Sequence, residues 1–309
     1  MAVTETIAPK EKRGWLKWLL VAIPFAWLLV FFLIPFFNVF KMSFSTRARA
    51  MPPYKPVLDF ADGIAGLWAQ LQLFTPANYW TLISQSKYWQ SYLSSVQIAL
   101  ISTVLILIVA YPIAYGMARA PRQWRSILVM LVILPFWTSF LIRVYAWIGI
   151  LGNEGLLNGF LLWTGLIDQP LTILTTNWAV YIGIVYSYLP FMVLPLYATL
   201  EKMDETLLEA AADLGCPPTQ AFWKITFPLS LPGVVAGCFL VFIPITGEFV
   251  IPELLGGSGT MMIGKQLWYE FFNNRNWPLA SAVAVVLLLI LVVPIVLFQN
   301  HQQAAEAGK

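Results

Sequence analysis

Histidine occurs once, as His301, and cysteine twice, as Cys216 and Cys238, in a chain of 309 residues. So few ligands and thiols exclude a disulfide framework, a metal site of ordinary spacing and histidine-based acid–base chemistry. Charge is scarce too: Asp, Glu, Lys and Arg make up 11% of the chain, against ~25% in soluble domains. With 18 basic and 15 acidic residues the net charge is only +3, too weak a basic field for nucleic acid. What fills the space is apolar, 59% of all residues, and that excludes an ordinary water-soluble globule.

A bilayer core of about 30 Å takes ~20 mostly apolar residues per helix, and the sequence holds six runs of that kind. They cover Trp18 to Phe40, Tyr92 to Met117, Ile127 to Leu151, Ile173 to Leu200, Leu231 to Leu255 and Leu279 to Phe298. Lys10, Lys12, Arg13 and Lys17 precede the first run and no small-residue cleavage site follows it, so it reads as a retained span. The expected fold class is an all-α membrane protein with six transmembrane helices.

Basic residues in short loops set orientation. The leading segment has four and the turn with Arg119, Arg122 and Arg125 has three, whereas the turn from Gly152 to Thr172 has none. Both termini are therefore expected in the cytoplasm. The segment from Lys41 to Lys87 disagrees, with Lys41, Arg47, Arg49, Lys55 and Lys87, but long segments weigh less in this rule. The expected organisation is a tail at 1–17, an accessory span at 18–40, a periplasmic segment at 41–90 whose prolines Pro52, Pro53 and Pro56 forbid a continuous helix, a five-span core at 91–299 and a tail at 300–309.

The most polar inner loop, about 201–230, lies between the fourth and fifth runs. Asp204 is placed to cap a helix over Glu205 to Leu214, Gly215 and Pro217 to stop it, and Pro218 to open a second helix ending before Pro228. Leu207, Leu208, Ala211 and Leu214 are expected on one apolar side of the first helix, and Phe222 and Ile225 on one side of the second. Periodicity alone is also satisfied by two helices packing on each other or on the membrane surface.

The spacing Glu209-Ala210-Ala211, Gly215, Ile225, Pro228 resembles the EAA loop of ABC importer permeases, although that family has a leucine where this chain has Phe227. The resemblance implies a type I, MetI-like permease fold whose loop docks on a separate ATPase subunit. Glu209 would then face the ATPase, Ala210 and Ala211 would permit close approach, and Gly215 would make the turn. Phe136 to Trp147, Asp168 to Thr172, Gly247 to Gly257 and Phe271 to Arg275 are similar to permeases of putrescine importers of Gram-negative bacteria. That likeness implies an inner-membrane, non-enzymatic subunit for putrescine or a related polyamine, with no cofactor of its own. It also implies its partners: a second permease in a heterodimer, two ATPase subunits that hold ATP and Mg, a periplasmic polyamine-binding protein and the lipid bilayer.

Of the ionised residues inside the runs, Arg143 and Glu248 are the two candidates for a role, Glu253 falling at the end of the fifth run. An ionised side chain deep in a bilayer costs about 2.5–3.5 kcal/mol on insertion scales. Both are expected near the outer end, at matching depth. Two readings stand: a structural Arg143–Glu248 ion pair, or a path in which Glu248 attracts a diammonium substrate and Trp137 or Tyr145 offers a cation–π face. Pro244, Gly247 and Pro252 should loosen the backbone around Glu248, and Gly233 and Gly237 read as a helix-packing pair. Gly259 to Lys265 nearly writes a phosphate-binding loop, but Gln266 replaces the magnesium-binding hydroxyl and no strand precedes it. Gly256 to Gly259 resembles an intramembrane protease motif without a base in reach. A secondary transporter would show repeated halves or intramembrane ion ligands, and neither is evident.

Overall fold

The computed structural model describes residues 14–57 and 68–307. Lys10, Lys12, Arg13 and part of the expected periplasmic segment, 58–67, lie outside the described residues. Five helices are long and apolar enough to cross a membrane, Leu20–Ser43, Ser86–Arg119, Phe140–Trp163, Asn177–Leu200 and Pro218–Thr246, and a shorter apolar helix covers Trp277–Val293.

One compact unit comprises Met1–Trp80 with Arg275–Val286. Its first helix runs as α1 (Gly14–Leu28), a π-helical turn at Leu29–Leu33 and α2 (Ile34–Ser43). None of its most apolar window is buried, as expected of a helix that lipid covers. Beyond it, β1 (Thr46–Arg47) pairs antiparallel with β2 (Tyr54–Lys55), the extended backbone that a proline-rich stretch favours. Asn78, in α3 (Ala77–Ser84), ties α3 to the end of α2 and the segment before β1 by donating from Nδ2 to the carbonyls of Ser43 and Ser45, 2.8 and 2.7 Å away.

The second unit comprises Thr81–Asn274 with Leu287–Lys309. Its centre is three mutually packed helices, α4 (Ser86–Arg119), α8 (Asn177–Leu200) and α11 (Phe227–Thr246). Small residues let their backbones approach: Ala99, Ala110 and Ala114 are buried on α4, against Met192, Val193 and Leu196 of α8 and Val241 and Ile245 of α11. A Cβ on Gly233 would sit 2.8 Å from the Pro195 carbonyl, and one on Gly237 would sit 2.5 Å from Met192 Sδ. The pair is thus the α11–α8 packing surface that its spacing predicts. Around the trio lie α5 (Arg122–Ile133), α6 (Phe140–Leu151), α7 (Leu156–Trp163), α9 (Thr206–Asp213), α10 (Pro218–Ala221), α12 (Val250–Leu254) and α13 (Ile263–Trp268). The last helix, α14 (Trp277–Ala307), has residues in both units.

Three expected elements differ in outline. The third run is not one helix: α5 ends, Leu134–Trp137 is a 3₁₀ turn, and α6 starts after extended Thr138 and Ser139. Pro135 causes the break, since its ring would strike the carbonyl one turn back and it has no N–H to donate. The fifth run breaks at Gly247–Phe249 between α11 and α12, where the local glycine and prolines predict irregularity. By contrast, the second loop helix does not stop before Pro228. It continues from α10 through a π-helical turn, Phe222–Thr226, into α11, and the Phe227 N–H donates to the Phe222 carbonyl. The wider π turn takes up one extra residue and moves the carbonyls away from the Pro228 ring.

Candidate functional site

The polar loop is built much as its capping residues dictate. Asp204 Oδ1 accepts the Thr206 N–H at 3.0 Å, which also holds the Asp204 carboxyl below its ordinary value. Gly215 closes α9 with φ +72°; nothing surrounds the position where its Cβ would be, so the backbone angle alone calls for glycine. Glu209 and Ala210 are exposed, Ala211 is buried, Ile225 is half-buried and Pro228 is exposed. The expected single apolar side of α9 is therefore divided. Ala211 and Leu208 turn inward, while Leu207 and Leu214 are 45% and 86% exposed, because Leu207 lies about 100° round the helix from Leu208 and Leu214 falls beyond the last turn.

Aromatic rings fasten the loop to the core. Phe222 meets Tyr111 and Tyr115 of α4 edge-on, at 5.5 and 6.3 Å, and Tyr111 Oη is 2.9 Å from Ser230 Oγ on α11. Arg119, at the end of α4, pairs with Glu205 at 3.0 Å and lies over the Tyr115 ring. Beneath the loop a cavity of about 220 Å³ is lined by Tyr115, Leu208, Ala212, Cys216 and Phe222 among others. The loop is thus held to α4 and α11 by the rings around Phe222 and by the Arg119–Glu205 pair, with the cavity lying between α9 and Tyr115.

At the helix breaks, Glu248 and Arg143 do not pair. Glu248 is 8% exposed, and its Oε1 accepts the N–H groups of Phe249, Val250 and Ile251 at 3.0, 2.9 and 3.5 Å, capping α12. Its Oε2 accepts from Tyr188 Oη at 2.5 Å. Four donors thus replace the guanidinium expected in the ion-pair reading. Gly264 makes room for this corner, since a Cβ there would lie 2.3 Å from the Gly247 carbonyl and 2.6 Å from that of Glu248.

Arg143, 9% exposed, rests on the rings of Phe136 and Phe140 at 5.3 and 5.8 Å, with Nε and Nη1 buried and without an acceptor among the described residues. Aromatic rings still connect it to Glu248: Phe136 meets Phe191 at 5.1 Å, Phe191 meets Tyr188 at 6.0 Å, and Tyr188 reaches the carboxylate. Trp137 and Tyr145 are not part of that chain and are 71% and 58% exposed. Tyr188 and Phe191 escape sequence reading because nothing in their spacing separates them from other apolar positions of α8.

A second buried carboxylate, Glu270, is also missed, because it lies between apolar runs where a charge is unremarkable. Only 2% exposed, it sits in a π-helical turn, Tyr269–Asn273. Lys87 Nζ, Tyr88 Oη and Gln266 Nε2 donate to Oε1 at 3.0, 2.8 and 3.0 Å, and Asn274 Nδ2 donates to Oε2 at 2.8 Å. Burial pushes its pKa up, but the bonds from Asn274, Lys87 and Tyr88 outweigh burial and hold it below the usual carboxylate value. The polar stripe Gln266, Glu270, Asn274 at four-residue spacing is the signal that marks it. Among the described residues no cluster of His, Cys, Asp or Glu could hold a metal ion.

Residues 110–304 match the family described as binding-protein-dependent transport system inner membrane component. The chain belongs to that family. The permease is 40% identical over 265 residues to the spermidine/putrescine transport system permease protein PotB of Escherichia coli, covering 86% of this chain and 90% of the relative. It is 39% identical over 278 residues to PotB of Haemophilus influenzae, covering 90% and 91%. A bacterial alginate ABC transporter, solved in complex with an alginate pentasaccharide-bound periplasmic protein, aligns with TM-score 0.67 at 18% identity over 94% of each chain, a likeness of fold. The permease is thus a multi-pass inner-membrane component of an ABC importer, with the MetI-like helical fold that the loop resemblance implies, and a transport component rather than an enzyme.

Proposed function

We propose that the permease is one of two membrane subunits of an ABC importer for putrescine or spermidine. The observation that carries this reading is its 40% identity to a spermidine/putrescine permease across nine-tenths of that protein. A second permease, two ATPase subunits carrying ATP and Mg, and a periplasmic polyamine-binding protein complete the machine. Both termini and the 201–230 loop face the cytoplasm, and the five-span core follows the accessory span. Glu209, Ala210, Ala211, Gly215, Ile225 and Pro228 form the docking loop. The stack of Phe222 on Tyr111 and Tyr115 gives ATPase closure a stiff path to α4 and α11, which supports the coupling role.

On the outer side, Glu248 with Tyr188, and Arg143 behind Phe136, border the path, with Trp137 and Tyr145 on exposed surface. Glu248 has its acceptor sites filled inside the chain, so its effect on a diammonium substrate is that of a fixed negative charge. The test is ATP-dependent uptake of labelled putrescine, with spermidine as competitor, in vesicles with and without this chain beside its partner subunits. Uptake that requires the chain supports the reading. No polyamine uptake while ATPase subunits still co-purify moves the permease to another small cationic cargo.

A further inference from the structure

We propose that the polar cluster around Glu270 is an ammonium-binding site, that Lys87 occupies it in the resting permease, and that an ammonium group of the cargo displaces Lys87 during import. The proposal rests on the polyamine reading above.

The cluster contains the chemistry that recognises an alkylammonium. Lys87 Nζ is 3.0 Å from a buried carboxylate oxygen and 4.6 Å from the centre of the Tyr88 ring, so the cation has both a counter-charge and a π face. Its side chain is 42% exposed and that of Glu270 only 3%, so the cation stands toward the surface and the anion is buried beneath it. A lysine is suited to leave: its flexible stem can withdraw the ammonium into water. The carboxylate is held without it, because Tyr88, Gln266 and Asn274 still donate to Glu270 and keep it in place.

Glu248 differs on this point. Three of its donors are backbone N–H groups of the following helix, which no ligand can replace without unwinding α12. Position also favours Glu270. The far end of α4 carries Arg119, paired with Glu205 beside the docking loop, and α4 is 34 residues long, roughly 50 Å at ~1.5 Å per residue. Lys87, in the first turn of α4, therefore lies at the opposite end of a full membrane crossing from the ATPase-facing loop, the side on which an importer receives cargo.

The test is equilibrium binding of labelled putrescine to the purified importer without its binding protein, alongside uptake in proteoliposomes. Lys87→Gln removes the resident cation and is expected to tighten putrescine binding about tenfold, and adding Glu270→Gln to it abolishes that gain. Binding by Lys87→Gln no tighter than wild type overturns the proposal. If Lys87→Gln yields no folded importer, Lys87→Arg decides, since its guanidinium holds the carboxylate through two bonds and resists displacement. A raised KM for uptake supports the site, and an unchanged KM overturns it. Two failures remain distinguishable. Wild-type polyamine uptake without any gain in Lys87→Gln removes the site alone, whereas tighter butylamine binding by Lys87→Gln in an importer that moves no polyamine supports the site and removes the polyamine reading.

Discussion

Glu248 combines two jobs that substitution can separate. Glu248→Ala strips the cap from α12 and leaves three backbone N–H groups and the Tyr188 hydroxyl short of an acceptor, at a cost of about 1–3 kcal/mol. Glu248→Gln keeps one acceptor oxygen for the cap and removes the charge, with the Tyr188 hydroxyl turned to accept from the new amide. Thermal unfolding of the purified importer should show a clear loss for the alanine variant and less than half of it for glutamine. Putrescine uptake should nevertheless fall in the glutamine variant, and wild-type uptake there would confine Glu248 to capping. Arg143 makes the opposite case. With Nε and Nη1 lacking an acceptor, its charge is a burden on the isolated subunit. Arg143→Met should leave that subunit as stable as before or more so, by up to ~1–4 kcal/mol. A large loss of stability on unfolding the isolated variant would contradict the unpaired geometry.

Among the helices, two glycines of one packing motif should respond unequally. A methyl at Gly233 meets the Pro195 carbonyl, which α8 holds rigidly, while a methyl at Gly237 first meets the sulfur of a flexible methionine. Gly233→Ala should therefore lower the unfolding temperature more than Gly237→Ala. Gly215 is governed by backbone angle: alanine at φ +72° costs roughly 1–2 kcal/mol and distorts the turn between α9 and α10. Gly215→Ala should still reach the membrane but import less cargo per ATP hydrolysed, as measured in proteoliposomes; a wild-type ratio would remove the docking turn from the coupling path. The capping of α9 by Asp204 and its stop at Gly215 are legible from residue types because both are local events. The fate of Pro228 is not, since a π turn that absorbs one residue leaves no mark in the hydrophobic pattern.

Across the whole molecule, Lys87 and Glu270 join positions 183 residues apart, fastening the start of α4 to the segment before α14. The Glu270 pKa lies below its unfolded value of about 4.3, so its stabilising contribution is complete above that value and is lost as pH falls through the lower folded value. Unfolding temperature should thus drop more steeply below about pH 4 in wild type than in Glu270→Gln, and parallel acid profiles would count against the network.

Apolar runs and scarce charge determine by themselves that this is a helical membrane chain with a capped 201–230 loop, because span length and caps are set by nearest neighbours along the chain, and the resemblance of that loop to a known family adds the importer permease kind. Which charges meet was decided only in three dimensions. The equal depth of Arg143 and Glu248 invites a pair, yet the carboxylate turned to Tyr188 and the start of α12, and Lys87 found Glu270 instead. A buried charge takes the donors that helix breaks and packing bring within about 3 Å, and sequence separation does not encode that distance.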